Sequence, residues 1–206
     1  DKPWGITINS KGNIIVSEFN NNRIQIFDSN GKFISKFGSK GNENGQFNGP
    51  EEVCVDENDN ILVCDYDNDR IQIFDSEGNF ISKFGSKGNG NGQFNGPCGI
   101  AINSKGNIIV SDFSNKRIQI FDSNGKFISK FGSKGNGNGE FNDQHGICVD
   151  FNDNIFVCDS NNNRVQIFDS KGSYISQFGK TKPIGIAINF NTQNIVVCGN
   201  NQASIF

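Results

Sequence analysis

The chain has 206 residues, 34% of them hydrophobic, and a formal net charge of -3. This composition allows a folded core but gives no net positive charge for wrapping a polyanion, so we do not expect DNA as a partner. No apolar run is long enough to cross a bilayer and no apolar leader is visible, so we expect no membrane partner either.

The six cysteines contain no C-x-x-C pair, and five of them fall on two recurring strand positions where other copies have Thr, Ala or Ser. We interpret them as free thiols that act as small apolar residues in a cytoplasmic protein. A disulfide or a metal site is the less favoured alternative, and we expect no cofactor.

One unit recurs every 47 residues, marked by Arg23, Arg70, Arg117 and Arg164, each inside the string R-I/V-Q-I-F-D-S. Short apolar runs broken by Gly, Asn and Asp at this period are typical of an all-β propeller, in which each repeat forms one small antiparallel sheet, or blade. We predict one domain, 1–206, with four full four-stranded blades and a partial fifth. The predicted blades are 4–49, 50–96, 97–143, 144–182 and 183–206.

Within the first repeat, the strands are predicted at 5–9, 13–18, 23–27 and 33–37. Gly31 and its equivalents stand where the third hairpin needs a left-handed backbone conformation. The Gly-rich linkers between repeats are predicted to be loops. Each ends in a phenylalanine that should fill the groove between two blades and stabilise it by about 1.5–3 kcal/mol, namely Phe47, Phe94 and Phe141.

A second period is twice as long. The first and third copies share I-N-S-K-G-N-I-I-V-S, whereas the second and fourth share V-D-x-N-D-N-I-x-V-C. This alternation indicates a duplication unit of two blades and favours an even blade number. Because the chain opens at Asp1 and the fifth copy stops after its third strand at Phe206, we expect a piece of a longer protein, with a six-bladed parent ring. The alternative is that four full blades and a three-stranded fifth close as a small ring.

The string P-x-G-I-A-I-N-S-K-G-N-I-I-V-S-D-F-S-N-K-R-I-Q-I-F-D-S-N-G-K-F-I-S-K-F-G, at 97–132, closely resembles the NHL repeat. The resemblance implies a propeller whose top face binds proteins or RNA. That face consists of the loops between second and third strands and the linkers that enter each first strand. Many relatives carry this domain at the C-terminal end of tripartite-motif (RING/B-box) ubiquitin ligases, whereas others are lyases, kinase sensors or scaffolds.

The four arginines are the only ones in the chain, and each has a carboxylate five residues earlier. In the fifth copy both partners are missing together, since Gly199 stands in the acid's place. We therefore predict structural ion pairs between the second and third strands, with two-pronged hydrogen bonds, instead of a basic ring for nucleic acid. The predicted pairs are Glu18 with Arg23, Asp65 with Arg70, Asp112 with Arg117 and Asp159 with Arg164.

Partner contact is predicted where the copies differ on the top face. One equivalent place at the mouth of the first strand is assigned to Trp4, Glu52, Cys98, His145 and Ile184. An aromatic series just after the acids, which could anchor a peptide, stack a base or simply pack between blades, consists of Phe19, Tyr66 and Phe113, with Ser160 in the fourth copy. Asp67 and Lys116 add charge to the same loops.

Catalysis and metal binding find little support in the sequence. The run from Asp65 to Asp69 opens like a calcium loop, but Arg70 stands where that loop needs glycine. His145 is the single histidine, and no nucleophile and base pair stands out. We predict a non-catalytic interaction or scaffold propeller that recruits a protein or peptide for a larger protein, such as a ubiquitin ligase. RNA binding is the alternative, and a ligand-binding or lyase-like propeller is the second alternative.

Overall fold

The computed structural model describes residues 1–179, 182–189, 192, 194–199 and 202–206. These residues form small antiparallel sheets joined in chain order, with four strands in each of the first four and three in the fifth. The predicted all-β propeller with four-stranded blades is therefore confirmed. The chain divides into two compact units, Asp1–Ile100 and Ala101–Phe206.

The first two sheets lie in the first unit. The first contains β1 (Pro3–Ile8), β2 (Ile14–Glu18), β3 (Arg23–Phe27) and β4 (Phe33–Phe37). The second contains β5 (Pro50–Val55), β6 (Ile61–Asp65), β7 (Arg70–Phe74) and β8 (Phe80–Phe84), with a one-turn 3-10 helix, Tyr66–Asn68, before β7. The four predicted strands of the first repeat agree with β1 to β4 to within two residues.

The third sheet contains β9 (Pro97–Ile102), β10 (Ile108–Asp112), β11 (Arg117–Phe121) and β12 (Phe127–Phe131). A short parallel pair follows, β13 (Ser133–Lys134) and β14 (Glu140–Phe141). The fourth sheet contains β15 (Gln144–Val149), β16 (Ile155–Asp159), β17 (Arg164–Phe168) and β18 (Tyr174–Phe178), with a 3-10 helix at Ser160–Asn162. The fifth contains β19 (Gly185–Ile188), β20 (Ile195–Gly199) and β21 (Gln202–Ile205).

The turn between β3 and β4 shows why the hairpins form locally. Asp28 Oδ1 accepts hydrogen bonds from the amides of Asn30 and Lys32, both at 2.9 Å. Gly31 has a φ of +80°, and a Cβ there would meet nothing within 4 Å. The backbone conformation, and not lack of space, therefore requires glycine at this turn.

Phe47 fills the space between the first two sheets, as predicted. Its side chain is fully buried, and its ring centroid lies 5.5 Å from that of Phe74 and 6.3 Å from that of Phe37. The linker that carries it is not simply a loop, because Lys40 and Phe47 form an isolated parallel bridge. The linkers predicted to be loops thus contain a short bridge that the sequence did not indicate. Each bridge holds its phenylalanine in the groove.

The alternation between odd and even copies has a structural counterpart in the first hairpin turns. Asp59 accepts hydrogen bonds from Ser10 through the amide, at 2.9 Å, and the hydroxyl, at 2.6 Å. Asp153 receives the same two bonds from Ser104, both at 2.9 Å. The first hairpin turn of an odd copy thus supplies the donors, and that of the next even copy supplies the acceptor. Because the two turns have different roles in one contact, their sequences differ, which explains a two-blade period.

Candidate functional site

The candidate site is the top face predicted above, which we call the rim. In the first unit the rim consists of the loops 19–22 and 66–69 and the segments 2–4, 49–52 and 96–98, which enter first strands. In the second unit it consists of the loops 113–116 and 160–163 and the segment 143–145. Each rim loop lies between the acid that ends a second strand and the arginine that begins the third strand. Its properties therefore depend on what those charges do.

Arg70 is directed into the scaffold. Its Nε donates to Asp65 Oδ2 at 2.7 Å, and its terminal nitrogens donate to the carbonyls of Asn42, Glu43 and Gln46 at 2.7–2.9 Å. The side chains of Arg70 and Asp65 are 7% and 0% exposed. Burial raises the pKa of Asp65, and hydrogen bonds from its neighbours, Arg70 among them, oppose that rise. The guanidinium thus fastens the preceding linker to the β6–β7 hairpin.

The other acid and arginine pairs are also in contact. Arg117 Nε lies 2.7 Å from Asp112 Oδ2, Arg164 Nε lies 2.8 Å from Asp159 Oδ2, and Arg23 donates to Glu18. The expected two-pronged contact with the carboxylate is wrong for Arg70 and Arg164. In both, Nε meets the acid and the NH2 nitrogen binds linker carbonyls, those of Gly137 and Glu140 in the case of Arg164.

In the first unit, Trp4 and Phe19 lie together on the rim. Their ring centroids are 6.3 Å apart, and Lys2 Nζ lies 4.1 Å from the centroid of Phe19 and 5.0 Å from that of Trp4. Trp4 is 36% exposed and Phe19 is half-buried. Sequence reasoning missed Lys2, although it takes the place of Gly49 and Gly96 and shares their positive φ.

The strand register corrects the predicted place of Glu52. Pro3 pairs with Glu18 and Pro50 pairs with Asp65. Glu51 is therefore the equivalent of Trp4, and Glu52 takes the place of Gly5. A Cβ on Gly5 would lie 2.7 Å from Glu52 Cα, so β1 and β5 approach too closely there for a side chain on β1.

Two carboxyls with raised pKa values stand at this point of the rim. Glu51 is 6% exposed and its Oε2 is buried without a hydrogen-bond partner. Burial raises the pKa of Glu51 to about 8, with Glu52 and Asp67 adding to the rise and Lys2 opposing it. Burial also raises the pKa of Glu52 to about 7, against hydrogen bonds from backbone amides. Glu51 is therefore largely protonated at neutral pH.

Tyr66 and Asp67 begin the loop between β6 and β7. Tyr66 is half-buried and its ring lies against Gly96, where a Cβ would come within 2.7 Å of the ring. Phe19 lies against Gly49 in the same way, at 2.8 Å. These aromatics pack against the linkers with one edge and keep part of their surface in solvent, whereas Asp67 is exposed. The interpretation that these aromatics pack between blades therefore holds for their buried part, and partner contact through the exposed part stays a prediction.

The second unit also brings a lysine, two rings and an acid together, but from other positions of the repeat. The rings of Phe113 and His145 lie 5.0 Å apart, and Lys116 Nζ lies 4.1 Å from the centroid of Phe113. Asp143 Oδ2 is 3.7 Å from His145 Nε2. Burial lowers the pKa of His145; Asp143 opposes this effect and Lys116 adds to it.

Two predicted contact residues are buried in the described structure. Cys98 is 3% exposed and Ser160 is 4% exposed, and the Ser160 hydroxyl donates to the carbonyl of Pro183. Their assignment to a partner-binding surface is therefore wrong, because neither offers surface to a partner. Ile184, in contrast, is 42% exposed.

Within the described residues, no group of three or more His, Cys, Asp or Glu side chains is arranged to hold a metal ion. None of the helices in that part of the chain is long and apolar enough to span a membrane. Three of the six cysteines are buried, and Cys198 is exposed. The interpretation of the cysteines as core residues therefore does not extend to Cys198.

The small sheets, the buried arginines and the varied rim define a propeller built from repeats. The family model described as NHL repeat matches residues 1–27 and 141–168, which confirms the resemblance seen in the sequence. The family model described as 6-bladed beta-propeller matches 46–118 and 104–154, which together span more than half of the chain. The chain belongs to this six-bladed β-propeller family and carries NHL repeats.

Two curated proteins are similar to this chain over short segments. Lin-41 of Caenorhabditis elegans is 54% identical over 35 residues, which are 17% of this chain and 3% of that protein. Brain tumor of Drosophila melanogaster is 43% identical over 54 residues, 26% of this chain and 5% of that protein. The matched segments thus span only a few per cent of the length of these relatives.

Solved structures extend the likeness to the whole fold. A gluconolactonase from Xanthomonas campestris superposes with a TM-score of 0.79 at 14% identity, covering 98% of this chain and 71% of that one. A streptogramin B lyase superposes with a TM-score of 0.74 at 15% identity, covering 100% and 68%. At such identities the likeness shows a shared fold alone.

Proposed function

We propose that this chain is a non-catalytic protein-interaction propeller that recruits a protein or peptide for a larger cytoplasmic protein, such as a ubiquitin ligase. The observation that carries the proposal is the contrast between a repeated buried scaffold and a partly exposed rim whose residues differ from copy to copy. Variation at exposed aromatic and charged positions is typical of a surface that selects a partner. We also propose that residues 1–206 act as one domain.

The state of the arginines supports a protein partner over RNA. The side chains of Arg70, Arg117 and Arg164 are at most 10% exposed and each is paired with a carboxylate. Phosphate recognition relies chiefly on accessible arginine and lysine. The rim of the first unit instead offers the exposed acid Asp67 beside its aromatic rings, and this charge would repel a phosphate backbone.

The proposal does not include catalysis. His145, the one histidine of the chain, lies against Phe113 and Asp143 on the rim, and its burial lowers its pKa. A single half-buried imidazole is a weak basis for the general acid and base pair that hydrolytic or lyase chemistry needs. The likeness to a lyase and a gluconolactonase concerns the fold and lends no activity to this chain.

The test is affinity capture with quantitative mass spectrometry, with and without RNase, using the wild type and a rim variant, Tyr66→Ala with Asp67→Ala. Lys83→Ala on the exposed outer strand β8 is the matched control. We expect the wild type and the control to capture the same RNase-resistant proteins, and the rim variant to lose them without a change in its melting temperature beyond a few degrees. Capture that survives the rim substitutions would contradict the proposal. Capture that disappears with RNase and falls steeply with salt would instead support the RNA alternative.

A further inference from the structure

The rim of the first unit holds an ammonium group of its own. Lys2 Nζ lies within 4.1 Å of the Phe19 centroid and 5.0 Å of the Trp4 centroid. Both distances are inside the range at which a cation is attracted to the negative face of an aromatic ring. The two rings therefore form a surface that accepts an ammonium group.

A buried carboxyl, that of Glu51, lies close enough to interact with the charge of the Lys2 ammonium over these rings. Glu51 is the strand-mouth residue equivalent to Trp4, its charge interacts with that of Lys2, and its buried Oε2 has no hydrogen-bond partner. An unpaired oxygen in so buried a carboxyl carries a desolvation cost that an incoming donor would remove. Lys2 does not donate a hydrogen bond to this oxygen in the structure.

Further negative charge stands on the same side of Phe19. Asp67 Oδ2 lies 3.3 Å from where a Cβ on Gly49 would be, and the Phe19 ring lies 2.8 Å from the same point. Asp67 is exposed, so it can attract a cation before contact. The Phe19 ring and the Asp67 carboxylate thus both lie beside Gly49, and Lys2 connects them with Glu51, because its ammonium lies over the rings and its charge interacts with that of Glu51.

The Lys2 side chain can be displaced from the Trp4 and Phe19 rings by another cation. Its carbonyl accepts a hydrogen bond from the Phe19 amide at 3.1 Å, which fixes the backbone and leaves the exposed side chain free to move. Its φ is +56°, the left-handed conformation that Gly49 and Gly96 adopt at the equivalent positions. An exposed cation–π contact is worth only about 0.5–1 kcal/mol, so displacing Lys2 is cheap.

We propose that the partner of this propeller presents a lysine or N-methylated lysine side chain, which displaces Lys2 from the Trp4 and Phe19 rings and donates to, or lies against, Glu51. The inference rests on the proposed function, because it names the chemistry of the partner at the same rim. The side chain's stem packs along the rings and its charge replaces that of Lys2.

The second unit gives another contact between an ammonium and an aromatic ring, built partly from other positions of the repeat. Lys116 Nζ lies 4.1 Å from the Phe113 centroid, the His145 ring of the next repeat lies 5.0 Å from that of Phe113, and Asp143 supplies the carboxylate. Phe113 is the equivalent of Phe19, whereas Lys116 stands at the position of Asn22 and not at that of Lys2. An ammonium over an aromatic ring beside an acid therefore recurs although the lysine comes from a different position.

The experiment uses the fluorescence of Trp4, the single tryptophan of the chain. Capped Gly-Ser peptides with one central trimethyllysine, lysine or norleucine are titrated into the whole chain, and choline serves as a free quaternary ammonium. We expect the trimethyllysine and lysine peptides to shift Trp4 emission in a saturable way and the neutral norleucine peptide to have no effect. Lys2→Gly should tighten binding about threefold or more by removing the competitor, and Lys11→Ala, on an exposed turn, should leave it unchanged.

A pH series tests the part played by Glu51. The groups that face it are Lys2, Glu52 and Asp67. Because trimethyllysine keeps its charge at every pH, any gain in affinity with pH must come from the protein. Binding should tighten about tenfold between pH 6.5 and 9 as Glu51 ionises. Glu51→Gln should remove most of this rise, and the part that remains should centre near pH 7, where Glu52 ionises.

Each outcome supports or overturns the proposal that the partner presents a lysine or N-methylated lysine side chain. The absence of any Trp4 response to trimethyllysine in both the wild type and Lys2→Gly would overturn it, as would equal binding of norleucine. Choline binding as tight as the peptide would overturn the assignment to a protein side chain. If these titrations fail while the rim variant still loses its captured proteins, the proposed function stands and only the partner's chemistry is wrong.

Discussion

Arg70 and Asp67 are three residues apart on one loop, yet they belong to different parts of the molecule. Arg70 is buried and binds one carboxylate and three linker carbonyls, whereas Asp67 is exposed. The same division between a buried arginine and a rim residue recurs in the third and fourth copies, although Ser160 there is buried too. The strongest charges of the repeat thus stabilise the scaffold and leave the surface charge to residues that vary.

The largest effect should come from breaking the scaffold at Arg70. Arg70→Ala leaves Asp65 buried without its cation and releases the linker carbonyls, so we expect a loss of about 3–5 kcal/mol in the free energy of unfolding. Urea denaturation measures it. Arg23→Ala, whose side chain is 28% exposed in the wild type, should cost clearly less. Equal costs at the two positions would show that burial does not set the value of these pairs.

A smaller, pH-dependent effect is expected at Glu51. Its folded pKa of about 8 lies above the ordinary value of 4.5, so its stabilising contribution is complete below about pH 4.5 and is lost as the pH rises through 8. Glu51→Gln should therefore be more stable than the wild type at pH 9, by on the order of 2 kcal/mol, and this advantage should disappear by pH 5. Unfolding curves at pH 5, 7 and 9 measure the difference. If the free energy of unfolding of the variant depends on pH as that of the wild type does, Glu51 does not ionise in the folded state. Glu52→Gln should reduce this pH dependence at lower pH.

The contact between odd and even copies should have a still smaller effect. Ser10→Ala removes the hydroxyl donor to Asp59 but keeps the amide donor, so we expect the melting temperature to fall by about 2–4 °C. Differential scanning calorimetry measures it, and Ser104→Ala should match it in the second unit. Lys11→Ala, next to Ser10 and exposed, should leave the melting temperature unchanged. A drop as large for Lys11→Ala would show that the turn itself, and not the bond to Asp59, is responsible.

The smallest effect on stability is expected on the rim. Asp67→Ala removes an exposed carboxylate, so the free energy of unfolding should change by no more than about 0.5 kcal/mol. The same chemical denaturation used for Arg70→Ala provides the comparison. A cost above about 1 kcal/mol would place Asp67 in the scaffold and remove the distinction on which the proposed function depends.

Much of this fold could be predicted from the sequence. Apolar residues at spacing two, Asp and Gly at the turns and the 47-residue period define the strands and the repeat, because hairpins depend on residues close in the chain. For the same reason an acid five residues before each arginine is a reliable sign of cross-strand contact. Phe47 was predictable as a groove residue because it is the one large apolar side chain in a polar linker.

The rim depended on tertiary structure. Contacts between segments far apart in sequence decide which carbonyls accept the terminal nitrogens of Arg70. They also decide whether Glu51 or Glu52 is the equivalent of Trp4, and which of Cys98, Ser160 and Tyr66 reaches solvent. The ammonium of Lys2 over Trp4 and Phe19 is a contact of the same kind. Local propensity reports on neighbours within one hairpin, whereas burial and charge at a rim arise from packing between sheets, which no short pattern encodes.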